Sequence, residues 1–152
     1  MDKNNFLLSV VYRQLSIVHF ISMTSTRILS LGFFLAALAV ILGAFGAHSL
    51  KQHVSPQQLD VFKTGVQYQF YHAIGIVCIG FLAQLFSNLR RLDIPMYLFL
   101  AGIICFSGSL YAFTFEEAMN ITKSSWIGVI TPLGGAFFIS GWIVLAIKTI
   151  KN

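Results

Sequence analysis

Three polar side chains, His48, Gln69 and His72, are the candidates for chemistry in a chain that is otherwise mostly apolar. Gln69 and His72 are three residues apart, so in a helix they share one face. His72 is the one conventional acid–base group inside the four long apolar segments described below, and an ionisable residue at membrane depth is by default a hypothesis about function. The structural alternative is that a neutral buried histidine hydrogen-bonds to a neighbouring helix, while Gln and Tyr anchor the membrane interface.

His48 and His72 are predicted at the same end of the molecule, so the two imidazoles could meet. Two imidazoles can hold haem or a metal ion. However, the sequence offers no third ligand and no CxxCH attachment motif. It therefore predicts no cofactor and no metal site. Cys78 and Cys105 form no metal-spaced pair, and both are expected to be buried, inert thiols.

The remaining reactive residue types do not form a catalytic pattern. Glu116 and Glu117 are adjacent, so they cannot face each other across a substrate. Ser107 and Ser109 with His72 resemble a serine hydrolase only superficially, because the G-x-S-x-G motif is absent. Proton-coupled transport normally needs a carboxylate or basic relay inside the membrane, and the apolar segments contain none. The sequence predicts a protein that is not an enzyme.

The elements that must position these residues follow from composition. Hydrophobic residues make up 57% of the 152 residues and charged residues only 10%. An average soluble domain has about 25% charged residues, so a soluble enzyme domain and a nucleic-acid binder are both excluded. Four windows lack Asp, Glu, Lys and Arg and are long enough to cross a bilayer core of about 30 Å. These windows are residues 28–47, 66–86, 94–115 and 126–147. The predicted fold is all-α, an integral membrane four-helix bundle.

The placement of basic residues predicts the orientation. With the N-terminus inside, seven of the ten Lys and Arg residues are cytoplasmic and three are external, which places both termini in the cytoplasm (N-in/C-in). Without the residues before 23 the ratio is still five to three. The cytoplasmic set is Lys3, Arg13, Arg27, Arg90, Arg91, Lys148 and Lys151, and the external set is Lys51, Lys63 and Lys123.

Residues 1–22 are predicted to be an N-terminal extension to a single transmembrane domain at 23–152. Their apolar run is too short and too interrupted for a signal peptide. One interpretation is that translation starts at Met23, directly before the first span. The other is that the extension is an amphipathic helix on the cytoplasmic membrane surface.

Local patterns indicate how the spans pack and where they begin. Small residues at helical spacing predict close packing on the first span, at Gly32, Ala36, Ala39, Gly43 and Ala47. The second helix should begin at Ser55 and Pro56, with Gln58 completing a capping box. In the fourth span, Pro132 predicts a kink. The contact face there is expected at Gly128, Thr131 and Gly135, with Trp142 as an anchor at the cytoplasmic end.

Several segments, in order along the chain, resemble one family. They are residues 42–48, 62–69, 71–73, 106–111 and 130–135. Together they are similar to the YgdD/YwdK-like family of small multipass membrane proteins, a domain of unknown function, over about residues 23–147. The resemblance implies a plasma-membrane protein, in the inner membrane of a Gram-negative cell, and no established activity, cofactor or catalytic residue. The acidic stretch at 115–120 departs from the family pattern.

Two functions remain open from the sequence. The first is a non-enzymatic role in packing and in association with lipid or protein, with membrane lipid, a second copy or another membrane protein as partner and no nucleic acid. The alternative is binding or transport of a small ligand or ion through a polar site near His48, Gln69 and His72.

Overall fold

The computed structural model describes residues 3–86, 92–121 and 127–150, and for residues 3–24 it describes the helical backbone and the side chain of Arg13. Every regular element in these ranges is helical. The elements are α1 (Lys3–His48), a 3₁₀ turn (Leu50–Gln52), α2 (Pro56–Leu85), α3 (Asp93–Gly102), a π turn (Ile103–Ser107), α4 (Gly108–Ala118) and α5 (Ile127–Ile150). α3, the π turn and α4 follow one another without a break and form a single span.

Four helical segments are long and apolar enough to cross a membrane, which confirms the predicted all-α four-helix membrane fold. They are Ser25–Gln52, Pro56–Leu85, Asp93–Ala118 and Ile127–Ile150. Each predicted window falls on one of them, except for one residue in each of two windows. Phe86, the last residue of the second window, follows the end of α2, and Trp126, the first residue of the fourth, lies outside the described residues.

Two predictions about the ends and connectors stay predictions. α1 runs without a break from Lys3 past Met23, so the proposed boundary between an extension and a domain coincides with no helix end. The orientation depends partly on Arg90, Arg91, Lys123 and Lys151, which lie outside the described residues.

The start of α2 is capped from two sides. Ser55 is the N-cap, and its hydroxyl accepts the backbone N–H of Gln58 at 3.3 Å, as predicted. The second half of the predicted capping box is wrong, because the Gln58 amide donates to Thr114 Oγ1 at 3.3 Å instead. Glu117 takes that role from the end of α4, accepting the Ser55 N–H at 2.9 Å. A carboxylate at a helix N-terminus is also favoured by the helix dipole.

α1 packs mainly against α2 through small residues, which confirms the face predicted on the first span for Gly32, Ala39 and Gly43. Ala47, the last residue of the predicted face, is exposed. Ala39 is completely buried. A Cβ at Gly32 would lie 2.9 Å from the backbone nitrogen of Val77 and 3.1 Å from the carbonyl oxygen of Ala73. The two backbones therefore approach so closely that only glycine fits at this level.

The contact face of α5 matches the predicted one only in part: the Thr131 hydroxyl lies 2.7 Å from that of Ser109, but the two predicted glycines do not pack closely. Among the described residues, a Cβ at Gly128 would have no neighbour within 4 Å, and a Cβ at Gly135 would only reach 3.9 Å from the Phe106 ring. The close contact is made by Gly134, where a Cβ would collide with the backbone of Phe106. Phe106 lies in the π turn, a segment that packs against α5. The kink at Pro132 stays a prediction; the proline lies inside α5 and cannot donate a backbone hydrogen bond.

The apolar core lies where α2, α3 and α5 meet, with the start of the first span along its side. Its buried members are Ile28, Ile76, Ile79, Leu92, Met96, Phe99, Ile103, Phe138 and Leu145. In lipid such a core holds the helices together by close packing, because apolar side chains gain little from leaving a medium as apolar as themselves.

Candidate functional site

His72 lies on the buried face of α2, enclosed by aromatic rings from α3 and α5. Its ring stacks on Phe138 with centroids 3.5 Å apart and meets the edge of Phe99 at 5.2 Å. Only 5% of the residue is exposed. The imidazole is thus held rigidly between two neighbouring helices.

Both ring nitrogens of His72 have hydrogen-bond partners. Nδ1 lies 2.7 Å from the carbonyl oxygen of Tyr68, one turn earlier in α2. The indole N–H of Trp142 donates to Nε2 at 3.2 Å. A carbonyl can only accept and an indole can only donate, so these partners assign the proton to Nδ1 and the lone pair to Nε2. The arrangement selects a neutral imidazole whose donor and acceptor are both occupied.

Gln69 ties three spans together from the same face of α2. Its amide nitrogen donates to the carbonyl oxygen of Leu35 in α1 at 3.0 Å. Its amide oxygen accepts the hydroxyl of Tyr111 in α4, also at 3.0 Å. The residue is 2% exposed. Gln69 therefore links α2 to both α1 and α4 by hydrogen bonds.

His48 lies far from the other two candidates. The contacts of Gly46 with Phe62 and of Gly32 with Val77 place α1 and α2 antiparallel, which sets His48 level with residues 60–61 of α2. At 1.5 Å per residue, His72 is then about 18 Å away along the helix axis. His48 is exposed at the end of α1. The two imidazoles therefore do not meet, which the sequence had left possible, whereas Gln69 and His72 do lie together on one buried face.

Other buried polar groups in the membrane-spanning region are paired as well. The hydroxyls of Ser109 and Thr131 lie 2.7 Å apart and join α4 to α5. Among the buried polar side-chain atoms of the described residues the exception is the hydroxyl of Ser107 in the π turn, which has no hydrogen-bond partner there. In this part of the chain no three His, Cys, Asp or Glu residues lie together as a metal site.

We call Gln69 and His72, together with their partners Tyr111 and Trp142, the polar belt. Sequence reasoning misses both partners and wrongly expects the thiol of Cys78 to be buried. It predicts Trp142 only as an interfacial anchor, yet the indole reaches His72 from a position 70 residues later in the chain. Tyr111 lies in a segment of family resemblance, but nothing in its spacing indicates Gln69 as its partner. Cys78 is exposed rather than buried, and Cys105 is partly buried; both are free thiols.

Comparison with known proteins places this architecture in a family. The profile of a protein family of unknown function, DUF423, matches residues 42–135. The chain is 44% identical over 121 residues to the UPF0382 membrane protein YwdK of Bacillus subtilis, an alignment that covers 80% of this chain and 94% of the relative. The chain belongs to this family. The resemblance to YwdK-like proteins seen in the sequence is thereby confirmed.

Further relatives share the same extent of the chain. A UPF0382 membrane protein of Haemophilus influenzae is 39% identical over 121 residues, covering 80% of this chain and 88% of the relative. One from Staphylococcus saprophyticus is 40% identical over 122 residues, with 80% and 94% covered. No solved structure matches the chain. The protein is an integral membrane protein of a family whose biochemical function is unknown, and the polar belt of α2 is the candidate site that its structure offers.

Proposed function

We propose that this protein is a non-enzymatic component of the plasma membrane (the inner membrane in a Gram-negative cell) that acts by associating with membrane lipid and membrane protein. The observation that carries the proposal is that every polar side-chain atom of Gln69 and His72 already has a hydrogen-bond partner within the protein. Their four polar side-chain atoms bond to the carbonyls of Leu35 and Tyr68, the hydroxyl of Tyr111 and the indole of Trp142. A ligand at this belt would have to displace bonds that hold the helices together.

The outer surface of the bundle supports the same proposal. The exposed face of α1 carries large apolar side chains, among them Phe34 at 67% and Ile41 at 64% exposure. Val129 and Ile139 on α5 are 73% and 63% exposed. Such surfaces are suited to lipid chains, and large contiguous apolar patches in general indicate membrane or protein contact.

A flux measurement tests this proposal against the transport alternative. The purified protein is reconstituted into lipid vesicles, and entry of protons and of small neutral solutes is followed by an internal dye and by vesicle swelling. We expect rates equal to those of protein-free vesicles. The proposal is contradicted by flux that is lost in Gln69→Leu but kept in Gln84→Leu, the same substitution at an exposed position near the end of the same helix.

A further inference from the structure

One stripe of α2 faces away from the rest of the bundle, and it carries polar groups. We call it the open face of α2. It repeats at steps of three and four residues, as one side of a helix must. Its residues are Asp60, Lys63, Gln67, Tyr71, Ile74 and Cys78, all of them outward-facing.

Tyr71 and Gln67 lie in the half of the second span that is nearer to Pro56. The uncharged window 66–86 is centred on residue 76, so at 1.5 Å per residue Tyr71 lies about 8 Å from that centre and Gln67 about 14 Å. The hydrocarbon half-thickness is about 15 Å. In that medium an amide or hydroxyl without a partner costs free energy, and hydrogen bonds between helices remove the cost.

Within the described part of the chain, Gln67 and Tyr71 satisfy each other only in part. The Gln67 amide nitrogen donates to the Tyr71 hydroxyl oxygen at 2.6 Å. The amide oxygen of Gln67 and the hydroxyl proton of Tyr71 have no partner in that range. One acceptor and one donor therefore remain side by side on an outward surface.

These features favour a second copy of the chain over lipid as the occupant. Copies inserted in the same orientation relate by a two-fold axis along the membrane normal, so their open faces meet in parallel with equal residues at equal depth. A glutamine amide is self-complementary because it both donates and accepts. Asp60 and Lys63 form an exposed ion pair, 3.0 Å apart, at the end of the same stripe.

We infer that the open face of α2 is the contact surface of a homodimer in which Gln67 and Tyr71 of one copy hydrogen-bond to the same residues of the other. This inference names the protein partner left general in the proposed function, on which it rests. The apolar outer faces of α1 and α5 have no comparable polar pair among their described residues and remain in contact with lipid.

Cys78 provides a direct test because it lies on the open face at a position that the two-fold axis brings near its counterpart. Membranes from cells expressing the full chain are oxidised with copper phenanthroline and separated without reductant. We expect a species of twice the 16.9 kDa chain mass, lost on reduction and in Cys78→Ser but kept in Cys105→Ser. Gln67→Leu combined with Tyr71→Phe should lower its yield at least fivefold.

A second set of variants removes the dependence on one thiol. In a Cys78→Ser, Cys105→Ser background, Ile74→Cys should cross-link, whereas Val129→Cys on the outer face of α5 should not. The inference is overturned by absent dimer at both positions 74 and 78, by equal cross-linking at 129, or by capture of a protein of different mass. The flux test is a separate measurement. Absent flux with absent dimer refutes the homodimer alone, and flux that depends on Gln69 refutes the proposed function alone.

Discussion

Gln67 and Gln69 are two residues apart on α2 and have the same side chain, yet they lie in opposite environments. Gln69 is 2% exposed and braces α1 and α4 through both ends of its amide. Gln67 faces outward, and its one bond in the described residues stays within its own helix, to Tyr71. The comparison teaches that a polar residue in a membrane helix is defined by the face it occupies. A buried one holds the bundle together, and an outward one is available to a partner.

The largest expected effect comes from overfilling the buried face. A Cβ at Gly75 would lie 2.9 Å from the ring of Phe99 and 3.4 Å from that of Trp142. Gly75→Leu should therefore lower the free energy of unfolding by about 3 kcal/mol, at the upper end of overpacking costs. Ile74→Leu, the adjacent residue on the open face, is the control and should change it by less than about 0.5 kcal/mol. Unfolding in mixed micelles measures both, and equal stability of the two variants would contradict the difference between the faces.

An intermediate effect is expected at the N-terminus of α2, where Glu117 accepts the Ser55 N–H. Glu117→Ala removes the acceptor for the Ser55 N–H and should cost about 1 kcal/mol of unfolding free energy, as the loss of a cap does. Glu117→Gln keeps an acceptor oxygen and should recover at least half of that loss. Amide hydrogen exchange in the first turn of α2 reports it directly, and unchanged protection in Glu117→Ala would show that the contact contributes nothing.

The smallest expected effect is the coupling energy between His72 and Trp142, which tests one hydrogen bond of the polar belt directly. A double-mutant cycle with His72→Phe and Trp142→Phe should give about 0.6 kcal/mol, the average for hydrogen bonds between membrane helices. The parallel cycle with Gln67→Leu and Tyr71→Phe in monomeric protein should give about 0.3 kcal/mol, typical of a pair within one exposed helix. If the coupling energy of His72 and Trp142 is no larger than that of Gln67 and Tyr71, the bond between His72 and Trp142 does not stabilise the bundle, and the account of the buried face is contradicted.

The spans are predictable because the thickness of the bilayer sets their length and excludes charge from them. Ser55 and Pro56 likewise predict the start of α2 from local backbone chemistry alone. Glu117 as the second cap is not predictable, because it comes from a residue 62 positions later in the chain. Its partner depends on how α4 lies against α2, which no local pattern encodes.

The candidate site is predictable in part for the same reason. Helical periodicity places Gln69 and His72 on one face. It does not say which residues of α1 and α2 lie at the same level along the helix axes, so it wrongly suggests that His48 is near them. The α5 contact is made by Gly134 rather than the predicted Gly135, because adjacent residues of a helix point about 100° apart and the partner, Phe106, lies in a π turn. That turn has no counterpart in the local patterns of charge, hydropathy or small residues along the third span.

The most direct test of the central claim compares Gln69→Leu with Gln67→Leu, the same substitution on the two faces of α2. Each is measured for unfolding of the monomer in micelles and for Cys78 cross-linking in membranes. We predict that Gln69→Leu lowers the unfolding free energy by about 1–2 kcal/mol, since it leaves the Tyr111 hydroxyl without an acceptor. Gln67→Leu should reduce cross-linking while the unfolding free energy of the monomer changes by less than about 0.5 kcal/mol. Loss of monomer stability in Gln67→Leu, or its retention in Gln69→Leu, would contradict the account.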